Sequence, residues 1–191
     1  MEFAPMVNRC IRAASLDPGL FNEVEHDQRL TSEALTVVAI VSILGGLGAF
    51  LGALLSRGIF NAFASLAVTV ILGLVGYFIW SFLCFFIGTR FMDGRAADVG
   101  ELLRPLGYAS APQALALFGF IPCLGGIIAL AGGIWSLVAG IVAVREALDF
   151  DTGRAVVTVV IGWVAVLIVS AVVGLIFGVG LVGMNVIGGI F

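Results

Sequence analysis

The chain has 191 residues, 61% of them hydrophobic and 11% charged, with a formal net charge of −3. Such a balance excludes an ordinary water-soluble domain, and nine arginines spread along the chain without a single lysine offer no basic cluster to grip nucleic acid. Four charge-free stretches, 34–56, 58–89, 105–144 and 155–191, each reach the roughly 20 apolar residues a helix needs to cross a bilayer. The expected fold class is therefore all-α, a polytopic transmembrane helical bundle of five spans (34–191) behind a short cytoplasmic helical head (1–33).

In chain order, Phe3, Met6, Val7, Cys10, Ile11 and Ala14 recur at helical spacing, with Arg9 and Arg12 elsewhere on the turn. That pattern predicts an amphipathic helix lying on the membrane surface, the alternative being a helix packed under the bundle. Asp17-Pro18 reads as a helix start, a carboxylate cap followed by proline at the first position, for a helix over 18–29. His26, the one histidine, stands among Glu23, Glu25 and Asp27, which reads as a solvated acidic face rather than a metal site. Thr31, Ser32 and Glu33 are placed to cap the first span, near 34–55.

The second span is expected within 62–88, closed by Arg90. Asp93-Gly94 reads as a turn, and Asp98 with Glu101 three residues on resembles a capping box. The stretch 105–144 fits two spans, near 103–120 and 125–144, with Pro122 and Gly125-Gly126 as the turn between them. Asp151-Thr152 caps a fifth span near 155–178, leaving 179–191 as an apolar, Gly-rich interfacial or re-entrant tail; a sixth span there is the weaker alternative. With five spans, eight arginines fall on the side of the head and only Arg57 on the other, which puts the N-terminus in the cytoplasm. Gly48-x-x-x-Gly52 and Gly174-x-x-x-Gly178 have the spacing that lets helices approach closely, within the chain or between copies.

Little here points to chemistry. No Asp, Glu, Lys, Arg or His falls well inside a span, which argues against a proton-driven carrier. There is no GxSxG elbow and no HExxH, and the three cysteines, Cys10, Cys84 and Cys123, form no CxxC pair. The expectation is a protein that is not an enzyme, with no metal and no cofactor. The most unusual wording lies in the third span. Pro105 and Pro112 each remove a helical donor, so this segment should be kinked and central, with neighbours re-satisfying its backbone. Gly107, Tyr108, Pro112 and Gln113 are the candidate functional element, Tyr108 being aimed at another helix. A small internal pocket of Trp80, Tyr108, Gln113 and Trp135 is conceivable, ordinary packing being the simpler expectation.

Several segments together resemble the Yip family, membrane proteins named for interaction with Ypt/Rab GTPases. They are Leu16-Asp17-Pro18-Gly19-Leu20-Phe21, Gly88-Thr89-Arg90, Gly100-Glu101-Leu102-Leu103-Arg104, Gly107-Tyr108-Ala109-x-Ala111-Pro112, Pro122, and the stretch from Trp135 to Val144-Arg145-Glu146-Ala147-Leu148. The arginine-only, Ala/Val/Gly-rich composition is that of a GC-rich genome and favours the prokaryotic branch. The resemblance implies a five-span bundle with a cytoplasmic N-terminus and no enzymatic activity. It places the chain in a prokaryotic cytoplasmic membrane, or in the ER and Golgi if the source is eukaryotic. Eukaryotic members bind prenylated Rab-type GTPases, but the Asp-Leu-x-Gly-Pro motif of many of those members is missing here, so the resemblance does not carry Rab binding over. The function expected is that of a membrane scaffold or accessory subunit. Its cytoplasmic face, drawn from Arg9, Arg12, Asp17, Arg90, Glu101, Arg104 and Arg145, would engage a membrane-protein partner, a second copy or lipid head groups. The alternative is a passive channel or transporter for a small solute or lipid built around the kinked third span.

Overall fold

The computed structural model describes residues 3–95 and 98–188. Two short helices, α1 (Phe3–Ala14) and α2 (Pro18–His26), form the head. A 3-10 turn (Gln28–Leu30) leads into α3 (Thr31–Arg57), which is followed by α4 (Ile59–Phe91) and α5 (Gly100–Ala109). After a 3-10 segment over Ala111–Phe120 come α6 (Gly125–Ala147) and α7 (Thr152–Gly188). Four helices are long and apolar enough to cross a membrane: Gln28–Arg57, Ile59–Phe91, Gly125–Ala147 and Thr152–Val169.

Local chemistry explains most of the boundaries. Asp17 caps α2, its Oδ1 accepting from the Gly19 N–H at 3.0 Å, with Pro18 in the first position. That helix stops at His26, short of the expected 29, because Asp27 starts the 3-10 turn by accepting from the Arg29 N–H at 2.9 Å. Asp98 accepts from the Glu101 N–H and Asp151 from the Arg154 N–H, each at 3.1 Å, so both begin their helices as the sequence predicts. The expected cap on α3 does not form. Thr31 bonds back to the Gln28 carbonyl, and Glu33 is engaged elsewhere. Between α3 and α4 stands one residue, Gly58, at φ 85° and ψ 172°, a conformation essentially closed to side-chain-bearing residues.

The expected span over 103–120 is not one helix. The α-helix ends at Ala109, and the chain continues as ten residues of 3-10 helix. Pro112 has no N–H to return to the Tyr108 carbonyl and disfavours the α conformation at Ala111. Ser110 absorbs the break: its N–H reaches the Leu106 and Gly107 carbonyls, and its hydroxyl donates to Gly107 at 2.6 Å.

Close approaches show how the pieces lie. Gly107 faces Ala34, Gly48 faces Ala116 and Leu117, and Gly52 faces Phe120, so the broken segment runs parallel to α3 along nearly its whole length. Helix α6 returns antiparallel, with Gly125 at Gly119, Gly132 at Pro112 and Gly140 near Leu106. Helix α7 lies on α4, where Gly76 meets Val166 and Gly162 meets Trp80. The Gly48–Gly52 face is thus occupied within the chain, by the 3-10 backbone; the side-chain surroundings of Gly174 and Gly178 lie outside the described residues. Backbone residues 179–188, expected as a separate tail, continue α7 without a break, and 189–191 lie outside the described residues.

The densest core lies at the head end. Leu20, Phe21 and Val24 of α2 are fully buried against Leu102, Leu106 and Val144. Away from it the long helices expose Ile43, Phe63, Ile71, Phe82, Ile134 and Leu167, as a lipid solvent permits. Helix α1 packs Met6 and Ala13 on the bundle, the second arrangement weighed for it, while Phe3, Val7 and Ile11 face outward.

Candidate functional site at the head–bundle junction

Three elements meet at one carboxylate. Glu33, in the first turn of α3, is 7% exposed. Its Oε1 accepts from Arg9 Nη1 of α1 at 2.8 Å and from the Tyr108 hydroxyl of α5 at 2.7 Å. The position suits a carboxylate, since the unpaired N–H groups of a helix start carry partial positive charge. Tyr108 therefore does point at another helix, as expected, and its target is a charged acceptor. Burial works against the Arg9 charge, but the hydrogen bond to Glu33 and the attraction of Glu33, Tyr108 and Glu23 together raise its pKa. The neighbouring Cys10 thiol is pushed up to about 11, mainly by burial.

A second arginine closes the other end of the head. Arg104 was expected on the exposed cytoplasmic face; it is 4% exposed. Its Nε donates to the Val24 and Glu25 carbonyls at 3.1 Å each, and Nη2 donates to Glu25 as well. These are the last carbonyls of α2, which no intrahelical donor satisfies, so a buried cation there answers both hydrogen bonding and helix dipole. The correction has a simple cause: α2 folds over the start of α5 and covers it.

The remaining residues of the expected face divide. Arg12 binds Asp17 at 2.8 Å and Glu23 at 3.0 Å, stapling α1 to α2. The Arg12 bond holds the Asp17 carboxyl below the usual range. Arg145 pairs with its neighbour Glu146 at 2.7 Å. Glu101 is half-buried at the start of α5. Arg29, Arg90 and Arg95 are exposed and make no ion pair among the described residues. Glu25 is buried with Oε2 unbonded among the described residues, and that burial raises its pKa. His26 is raised too, first by the Asn22 carbonyl at its Nδ1 and then by Glu25. Among the described residues no three His, Cys, Asp or Glu gather as metal ligands.

The pocket imagined around Trp80, Tyr108, Gln113 and Trp135 is divided differently. Tyr108 belongs to the junction, and Trp135 lies outside, its indole donating to the Ala14 carbonyl at 2.7 Å. Trp80 and Gln113 do line a partly open cavity of about 400 Å³, with Ser42, Gly133 and Trp163. Gln113 Nε2 donates to Ser136 Oγ at 2.9 Å, and Ser136 donates to the Ala109 carbonyl at 2.7 Å, so the side chains of α6 re-satisfy the broken segment. Gly107 is there for contact: a side chain on it would press on the backbone of Ala34.

Sequence reasoning missed the role of Glu33. A carboxylate at the mouth of a charge-free stretch reads as a boundary, and nothing links it to Arg9, 24 residues earlier. The available signal was the burial it would suffer, which demands a partner.

No curated protein and no solved structure matches the chain. The match that is found is to a domain family as a whole, and it does not bear out the narrower expectation of a prokaryotic branch. It runs over residues 15–189, taking in α2, Arg104, the Gly107–Gln113 element and all the long helices. On that coverage the chain belongs to the family of membrane proteins built on the Yip1 domain.

Proposed function

We propose that this Yip1-family protein is a non-catalytic membrane scaffold or accessory subunit. In this reading it presents a rigid head on the cytoplasmic side of a five-span bundle. The observation that carries it is Glu33, shared by α1, α3 and α5, which makes head and bundle one body. A head held so firmly is suited to display a surface. Arg29, Arg90 and Arg95, exposed and without ion pairs among the described residues, offer three separate cationic contacts on that surface for acidic side chains of a partner protein. Tyr108 and Glu33 are engaged with each other, and Arg104 with carbonyls, in a structural junction.

The five-span count is supported by the run of α5 and the 3-10 segment beside α3. From Gly107 at Ala34 to Phe120 at Gly52 the segment follows 18 residues of α3, roughly 27 Å at about 1.5 Å each, close to a hydrocarbon core of about 30 Å. The arginine asymmetry supports a cytoplasmic head.

Native mass spectrometry on protein extracted gently from its own membranes tests the scaffold reading. A stoichiometric second polypeptide, lost when Arg29, Arg90 and Arg95 are all changed to Gln, is the expected result. A chain found only alone or with copies of itself overturns it.

A further inference from the structure

Two cavities lie end to end along α3. The first, about 400 Å³, is bounded by Val38, Ser42, Gly45, Trp80, Gln113 and Gly133 and has no charged residue in its wall. The second, about 350 Å³, continues from the shared Gly45 and Ala116 past Gly52, Ser56 and Ser65 to Arg57. At about 1.5 Å per helical residue, the track from Val38 to Arg57 is roughly 28 Å long. Arg57 is its one charged wall residue and makes no ion pair among the described residues. Ser42 is 8% exposed, lines the inner cavity, and its hydroxyl has no hydrogen-bond partner among the described residues. Gly133 faces open space: a side chain added there would meet nothing within 4 Å.

We propose that this track holds one anionic phospholipid drawn from the leaflet at the Arg57 end of the bundle. One acyl chain fills the inner cavity, and the phosphate sits on Arg57. Each part of the track selects for this. A volume within the range of about 300–1,000 Å³ typical of ligand sites, walled mainly by apolar atoms and opening within a membrane helix bundle, is supplied from the bilayer. An uncharged inner end rejects a buried ion, which would lose its hydration without compensation. A lone guanidinium at the outer end prefers a phosphate to a neutral head group.

The test uses the full-length protein in vesicles of phosphatidylglycerol and phosphatidylcholine, each with a photoreactive diazirine in the acyl chain. Illumination should label the segments around Ser42 and Leu137, with phosphatidylglycerol favoured by about tenfold. Gly133→Phe, which fills the inner cavity, should reduce labelling by about tenfold, while the lipid-facing Ile134→Phe should leave it unchanged. Arg57→Gln should keep the labelled segments and abolish the head-group preference. Label confined to outward-facing residues of the wild-type chain overturns the proposal, and this measurement stands even if Gly133→Phe fails to fold. So does undiminished labelling in a folded Gly133→Phe, an unchanged preference in Arg57→Gln, or displacement of the phospholipid by an equal mole fraction of oleate.

Discussion

Tyr108, Glu33 and Arg9 are coupled through a single oxygen, so their contributions cannot be independent. Tyr108→Phe removes a hydroxyl bonded to a charged acceptor and should cost about 1.5–3 kcal/mol, read as a lower melting temperature in detergent. Glu33→Gln weakens both bonds. In the double variant the losses should fall short of additive by about 0.5–3 kcal/mol; strict additivity would show that the two groups do not share the site. Arg104→Met leaves the Val24 and Glu25 carbonyls buried without donors and should be the more damaging change, by about 3 kcal/mol or more. Protonation adds a pH signature. Glu25 and His26 are both raised in the folded protein, so each supports the head fully below its unfolded value, and that support is lost as pH rises through the raised folded value. Asp17 is lowered, and its support fails only below the ordinary carboxylate range. Proteolysis of the head should therefore quicken in two steps as pH rises, one above the ordinary carboxylate value and one above the ordinary imidazole value, the upper step vanishing in His26→Asn and the lower in Glu25→Gln. A flat profile in the wild type would refute this.

Among the elements, the long helices were legible because charge-free stretches bounded by arginine admit little else. The head helices were legible from Asp17-Pro18 and from apolar spacing. The break at Ser110 was only half legible. Two prolines announce a disturbance, but whether the chain bends as an α-helix or stretches into 3-10 form depends on what lies beside it. Here Gly48 and Gly132 let neighbouring helices close on the exposed backbone of Ala116 and Pro112. Gly48→Ala would drive a methyl into the Ala116 carbonyl oxygen, a backbone atom that cannot swing away, and should lower the melting temperature sharply. Gly126→Ala meets nothing within 4 Å and should be neutral or stabilising by up to about 1 kcal/mol, from helix propensity alone. Equal effects from the two changes would mean that the 3-10 segment does not lie against α3. Arg104 was misread for a related reason: its place on α5 was legible, but the fold of α2 over it was not.

For the molecule as a whole, the proposed span count puts the Pro122–Leu124 turn on the side opposite the head. Cys123 is exposed there, Cys84 is buried, and Cys10 is half-buried. A membrane-impermeant maleimide applied from outside should label Cys123 in intact cells, and Cys123→Ser should abolish the signal. Labelling of Cys123 only after the membrane is opened would mean either that the α5 and 3-10 segments turn back without crossing or that the whole bundle is inverted. The one-residue connection at Gly58 bears on how such a protein comes into being. Helices α3 and α4 leave the ribosome as a hairpin whose halves are already antiparallel neighbours, and each is apolar enough to partition by itself. The proline-broken segment that follows lacks a full α-helical ladder and enters lipid well only against a finished wall. Synthesis order delivers that wall first, so a second residue inserted at Gly58 should harm biogenesis more than its small effect on the finished contacts would suggest.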